Sequence, residues 1–302
     1  MKNTSAVTVV GSVALDDLHL PSGYFENVVG GAATFASLAV SLFAPVRMVG
    51  IVGTDFPDSV LTDLAGRGVD TSGVLKSAGK TFKWVGKYAQ NLASRETLDT
   101  QLNVFADFRP TLPESYRQAS YLLLGNIHPS LQLDVLAQMD KPKFVAADTM
   151  NLWIDIERAA LVRVLEKIDC LIINDEELRQ LAGVHNIRQA AKIVRDLGPR
   201  ILICKRGEYG ALLFDDLGIA FVPAFPLETE LDPTGAGDSF AGALLGRLAE
   251  LDRTDHTALR DALGYATAVA SFCVEGVGTK RLLSVTPADV SERLAAVRAL
   301  AS

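Results

Sequence analysis

"DPTGAGDSF", residues 232–240, sets two glycines and an alanine between two aspartates. Glycine costs conformational entropy and gives no side chain to pack, so a cluster of it marks backbone that must bend or be approached closely. The residues that follow, "SFAGALLGRLAEL" (239–251), have the spacing of an amphipathic helix with small residues on its early turns. A glycine turn that opens a helix leaves the first backbone N–H groups unpaired and able to hold an anion. Asp238 stands among those donors. Two readings fit the residues alone. One is an ordinary glycine turn whose acid is favoured by the helix dipole. The other is a phosphate cradle, in which the N–H groups of residues 235–238 take up charge while Asp238 accepts the proton of a substrate hydroxyl.

Outward from that stretch, short β-rich runs alternate with helical periods. "VTVVGSV" precedes a helix over about residues 32–43, and "VRMVGIVG" precedes one near 57–66. "SYLLLGNI", "KFVAAD", "CLIIN" and "RILICKR" are continuous apolar runs of strand length, and all but the last lead into a helical period. Strands buried on both faces read this way, so the expectation is an α/β fold with a mostly parallel central sheet between helical layers. Two stretches break the rhythm: "GVLKSAGKTFKWVGKY" (73–88) and "TLDTQLNVFADF" (97–108), which alternate like strands with one wet face. They predict a small β-rich lid, discontinuous at about 14–27 and 73–108, on a single α/β domain covering residues 1–302. Its outward face is the predicted route to a homodimer. From 236 onward the periods over 239–250, 254–272 and 286–300 predict helices.

The 302 residues carry a net charge of -7 and 49% hydrophobic side chains, which gives a large core and argues against a nucleic-acid partner. Residues 27–46, "NVVGGAATFASLAVSLFAPV", carry no charge but are diluted by Asn, Gly, Thr, Ser and Pro, so they predict a buried helix and no membrane partner. The opening "MKNTSAVTVVGSVALDDL" lacks the strong basic start of a secretory leader and reads as a first strand. Cys170, Cys204 and Cys273 are far apart without a Cys-x-x-Cys pattern, which predicts reduced, buried thiols in a cytoplasmic protein.

Several chemistries lack their residues. The phosphate loop with Lys and Ser/Thr after its last glycine is missing, and "VVGSVALDDL" has one glycine where a dinucleotide fingerprint needs three. The four histidines show no metal-ligand spacing and read as surface or capping groups. No small-x-Ser-x-small elbow supports a hydrolase.

The whole pattern resembles the ribokinase-like, or PfkB, carbohydrate kinases, a family that includes nucleoside kinases. "DPTGAGDSFAGALLG" is similar to the family signature, "VVGSVALDDL" to its opening strand, and "VVGGAATFASLAVSLF" to its glycine-glycine helix entry. "INDEE" and "CKRGEYGALLF" match two further blocks in order, so the resemblance runs from about residue 6 to about residue 282. It implies a three-layer ribokinase-like sandwich and an enzyme that moves the γ-phosphoryl group of ATP, with magnesium, to a hydroxymethyl group of a sugar or nucleoside. It implies that Asp238 is the base and that Gly235, Ala236 and Gly237 form the anion hole. Asn174 and Glu177 match the pair that places magnesium through water, although Asn followed by Glu at this spacing is also a capping box. Lys205 and Gly207 fall in the nucleotide-touching segment, where lysine replaces the family's threonine.

On the acceptor side the resemblance implies that Asp16 binds substrate hydroxyls and that Gly30 and Gly31 let substrate lie against backbone. Ribokinases have lysine and asparagine where this chain has Ala32 and Phe35, and asparagine where it has Ala14. A pocket with fewer polar groups disfavours ribose itself, and Phe35 is expected to offer an aromatic face to a nucleobase. Phe82, Trp84, Phe105 and Phe108 are further stacking candidates in the lid, and Lys83, Lys87 and Arg109 are its available basic residues. A nucleoside kinase is therefore the rival to a simple sugar kinase. A non-catalytic sugar- or nucleotide-sensing protein is the reading from another class.

Overall fold

Val7, Val9 and Val10 are fully buried, and a strand apolar on both faces belongs inside a sheet. A computed structural model describes residues 5–92 and 94–300 and builds such a sheet around them. In chain order the strands are β1 (Val7–Val10), β2 (Ala14–Leu20), β3 (Gly23–Gly30), β4 (Val46–Val52), β5 (Val69–Lys76), β6 (Lys83–Tyr88) and β7 (Arg95–Gln101). They continue as β8 (Tyr121–Leu124), β9 (Phe144–Asp148), β10 (Cys170–Asn174), β11 (Ile201–Lys205), β12 (Ala211–Asp215) and β13 (Gly218–Val222). The helices are α1 (Ala32–Ser41), α2 (Asp58–Gly66), α3 (Glu114–Arg117), α4 (Pro129–Gln138), α5 (Asn151–Ile156) and α6 (Arg158–Leu165). They end with α7 (Asp175–Ala182), α8 (Ile187–Arg195), α9 (Ala236–Leu251), α10 (His256–Val274) and α11 (Pro287–Leu300).

The large sheet has the order β13-β12-β11-β10-β9-β8-β1-β4-β5. Neighbours from β11 through to β5 pair in parallel, and β12 and β13 finish one edge in antiparallel pairing. Successive side chains on these strands go to opposite faces. Val7, Val9, Ile201 and Ile203 join the core under α1, α9 and α10, whereas Val10, Leu202 and Cys204 join the core under α4, α6, α7 and α8. The predicted three layers follow. At the α1–α9 crossing, Gly242 and Gly246 lie against the backbone of Ala36 and Val40, so the small residues on the early turns of α9 let two helices touch.

The small sheet, order β3-β2-β6-β7, differs from the expected lid at its edges. Val69–Lys76 is the edge strand of the large sheet, paired in parallel with β4, so 73–76 leave the lid. An edge strand is wet on one side, which is why its polarity looked like that of an appendage. The strand expected over 97–108 runs only to Gln101. The 3-10 turn Asn103–Asp107 that follows sends Val104 and Phe108 into the core of the main body. The small sheet is built from Ala14–Leu20, Gly23–Gly30, Lys83–Tyr88 and Arg95–Gln101.

Burial holds the thiols of Cys204 and Cys273 up at about 12 and raises Cys170 as well, as suits inert, unpaired cysteines. His128 caps α4, its Nδ1 accepting from the Ser130 N–H at 3.2 Å. Among the described residues no helix is long and apolar enough to cross a membrane.

Candidate active site

Parallel strands bring their last residues to one edge of a sheet, where open α/β folds bind ligands. Asp148 ends β9, Asn174 ends β10 and Lys205 ends β11, with Asn174 and Lys205 as register partners. The start of α9 comes to the same place. The Lys205 Nζ lies 3.1 Å from where a Cβ on Gly237 would stand, and 2.8 Å from the Asp148 Oδ2.

Gly235 is the N-cap of α9 at φ 79, and no side chain caps the helix. This left-handed conformation suits glycine, and the Phe35 ring lies where a Cβ would go, so both backbone and space call for it. The amides of this turn divide unequally. Ala236 N–H turns back to donate to Pro233 O at 3.2 Å, and Ser239 N–H donates to Gly235 O at 2.8 Å. Among the described residues the N–H groups of Gly235, Gly237 and Asp238 have no acceptor in the chain. Ala236 therefore leaves the expected set of donors, and three remain. By contrast, the start of α1 is satisfied: Ser12 receives Ala32 N–H on its Oγ at 3.1 Å and Ala33 N–H on its carbonyl at 3.0 Å.

The loop before α9 is pinned. Asp232 is fully buried, and its two oxygens accept from the N–H groups of Thr234 and Gly278, each at 2.9 Å. From the small sheet, the Tyr88 hydroxyl meets Thr234 Oγ1 at 2.9 Å, which ties β6 to this loop.

Electrostatics gather on Asp238. Burial, with Asp148 adding to it, pushes its carboxyl up to about 7 against the opposing pull of Lys205 and Arg95. Burial and Asp148 likewise push Glu177 up to about 7. Burial alone would lower Lys205, but Asp148, Glu177 and Asp238 outweigh it and hold the ammonium above its ordinary value. Asn174 and Glu177 form a complete capping box at the start of α7. Asn174 Oδ1 accepts from Glu177 N–H at 2.8 Å, and Glu177 Oε2 accepts from Asn174 N–H at 3.2 Å. The box engages one oxygen of the glutamate, and the Lys205 charge lies near enough to draw its carboxyl down. Hard oxygen donors of this kind fit an ion that keeps most of its waters and binds phosphates, as magnesium does. Among the described residues no three His, Cys, Asp or Glu side chains form a metal cage.

Gly30 has both Asp16 and the Phe35 ring beside it. Asp16 is buried on β2, accepts from Trp84 N–H at 3.2 Å, and presents its second oxygen against Gly30, whose backbone would lose that approach with any Cβ. Burial pushes it up to about 7, with the Trp84 bond opposing and Asp232 and Asp17 adding. Gly31 caps α1 at φ 95 beside Ser12.

Two sequence expectations change here. Phe35 is 1% exposed and packs beneath Gly235, so it supports the anion turn and offers no free face for stacking. Phe105 and Phe108 stack on each other, 5.6 Å between centroids, against the main core; Phe82 and Trp84 stay half-buried on the small sheet. Gly207 opens the exposed turn between β11 and β12 with open space around it. Lys83 is committed to Asp17 at 2.9 Å and Arg109 donates to Phe108 O, while Lys87 is exposed.

Sequence reasoning missed Asp148, Tyr88 and Arg95. Asp148 had a legible signal, an acid closing the apolar run "KFVAAD". Arg95 sits on β7, whose residues are all exposed, and nothing in that pattern marks it.

Comparison with known proteins agrees with this geometry. Residues 5–285 match the pfkB family carbohydrate kinase profile. The chain is 31% identical over 245 residues to the cytidine kinase of Thermococcus kodakarensis, covering 79% of this chain and 87% of that one. Its fold is similar to the nucleoside kinase of Methanocaldococcus jannaschii, an archaeal member of the ribokinase family, with TM-score 0.78, 20% identity and 97% and 98% of the two chains covered. It is also similar to the aminoimidazole riboside kinase of Salmonella enterica, solved with aminoimidazole riboside and an ATP analogue. There the TM-score is 0.75, with 22% identity and 96% and 99% covered. With its glycine turn, free helix amides and half-buried aspartate set at the carboxyl edge of a ribokinase-like sheet, this chain belongs to the pfkB family of carbohydrate kinases.

Proposed function

We propose that this ATP-dependent kinase phosphorylates the hydroxymethyl group of a nucleoside, with Asp238 as base. The observation that carries the reading is that three unpaired amides, Asp238's own among them, open α9 beside Lys205 at the sheet edge. A base poised near the working pH combines availability with driving force. Asp238 accepts the hydroxyl proton as that oxygen bonds to the γ-phosphorus, and the bond from phosphorus to the β–γ bridging oxygen breaks, releasing ADP. The Gly235, Gly237 and Asp238 N–H groups receive the charge that builds on the equatorial oxygens. Asp16, one of whose oxygens meets no donor among the described residues, orients the acceptor's hydroxyls. Asn174 and Glu177 would hold magnesium through water, and the ion would neutralise charge on the ATP phosphates. The small sheet acts as lid: Tyr88 reaches Thr234 and excludes water from the transfer.

The cytidine kinase relative favours a nucleoside over a simple sugar, and so do the apolar Ala14 and Ala32 at positions where ribokinases carry polar groups. The test is acceptor-dependent ADP release over a panel of nucleosides and sugars. A nucleoside should give the highest kcat/KM. A sugar ahead of every nucleoside would reassign the acceptor. Ligand-induced thermal stabilisation without ADP release from any acceptor would make the chain a binding protein instead.

A further inference from the structure

The Lys205 side chain does more than its place in a nucleotide-touching segment requires. It ends β11, is 17% exposed, and points into a cluster of carboxylates formed by Asp148, Glu177 and Asp238. Among the described residues its ammonium makes one hydrogen bond, to Asp148 Oδ2 at 2.8 Å. An ammonium has three N–H donors, so two remain for a ligand.

Where those donors lead follows from the turn opposite. A backbone nitrogen lies about 2.5 Å from its own residue's Cβ position. With Lys205 Nζ 3.1 Å from the Gly237 Cβ position, the ammonium is at most about 5.6 Å from the Gly237 nitrogen. An oxygen at hydrogen-bond distance, about 2.9 Å, from each nitrogen spans that gap. A phosphate oxygen between the two can thus meet both the Gly237 amide and Lys205.

We infer that Lys205 is a catalytic residue whose ammonium, held by Asp148, touches the phosphoryl group in transfer at the N-terminus of α9. This rests on the phosphotransferase reading above. Lys205 moves no proton: it donates hydrogen bonds to the γ-phosphoryl oxygens while the hydroxyl proton goes to Asp238 and ADP leaves. Asp148 is a positioning residue, which acts through the lysine. The pair also answers a charge problem, since a polyanionic nucleotide must approach three carboxylates, and the lysine is the cation standing among them.

The experiment compares K205M, D148N and the D148N/K205M double variant with wild type. Because the double variant removes the lysine together with the carboxylate it is hydrogen-bonded to, it leaves no unpaired charge at Asp148 and keeps the test open if K205M alone does not fold. In K205M, and equally in the double variant, kcat should fall about 100-fold while the acceptor KM stays within about threefold. Calorimetry should find ATP affinity weakened about tenfold and ADP affinity within about twofold, since only ATP carries the phosphoryl group that Lys205 meets. D148N alone should lose about tenfold in kcat, and the double variant should add little to the loss in K205M. The inference is overturned if the double variant regains wild-type kcat, which would make the lysine a mere counter-ion for Asp148. Equal weakening of ATP and ADP, or an unchanged kcat, would overturn it too. A wild type without acceptor-dependent ADP release on any acceptor would instead sink the kinase reading itself.

Discussion

Asp238 must be ionised to take a proton, and burial together with Asp148 holds its carboxyl near 7. The kcat/KM profile should therefore climb about tenfold per pH unit below neutrality and level above about pH 7.5. A profile flat from pH 5 to 8 at about the same rate would contradict a buried carboxylate base. Gly235 tests the turn under it. Alanine there meets both φ 79 and the Phe35 ring, so G235A should cost about 1–3 kcal/mol of stability and most of the activity. Thermal melting with a parallel rate measurement checks it, and wild-type values for both would show that the turn tolerates a side chain. Much at this scale was legible. The Asn174–Glu177 spacing gave a capping box, and that box is present while the glutamate also feels the charge of Lys205. Phe35 was not legible in its true role, because a sequence cannot tell a pocket wall from a residue buried beneath a neighbouring glycine.

Among elements, the link between β6 and the α9 loop carries the lid's effect. Y88F keeps the edge-on packing with Trp84, 6.3 Å between ring centroids, but removes the partner of Thr234 Oγ1. One such bond is worth about 1 kcal/mol, so kcat/KM should fall about fivefold with little change in melting temperature. An unchanged kcat/KM would mean that this contact does not couple lid and site. The regular strands and the helices after 236 could be read from their periods, since burial on two faces or one stripe leaves a direct trace. The lid boundary could not. An edge strand of the main sheet and a strand of a small separate sheet both alternate between wet and dry, and only pairing distinguishes β5 on β4 from β6 on β2. Arg95 escaped for a related reason: its influence on Asp238 depends on how the small sheet is laid over the large one.

Across the whole molecule the site is costly to fold. Asp16, Glu177 and Asp238 all have carboxyls raised to about 7, well above their unfolded values near 4. The folded state then binds more protons than the unfolded one between those limits, so stability falls as pH rises from about 5 to 7 and levels above. The carboxyls held low, Asp17, Asp70, Asp252, Asp255 and Asp289, are ionised in both states across that window and do not oppose the trend. Accordingly D238N should melt about 2 °C or more above wild type at pH 8, with the gain shrinking toward pH 5. A gain independent of pH would deny that the buried charge is its source.

The central claim joins one carboxylate to the amides around it, and D238N separates the two. Acceptor-dependent ADP release should drop at least about 1000-fold in that variant, while calorimetry finds ATP bound within about threefold of wild type. Undiminished turnover with the asparagine in place would contradict the account at its base.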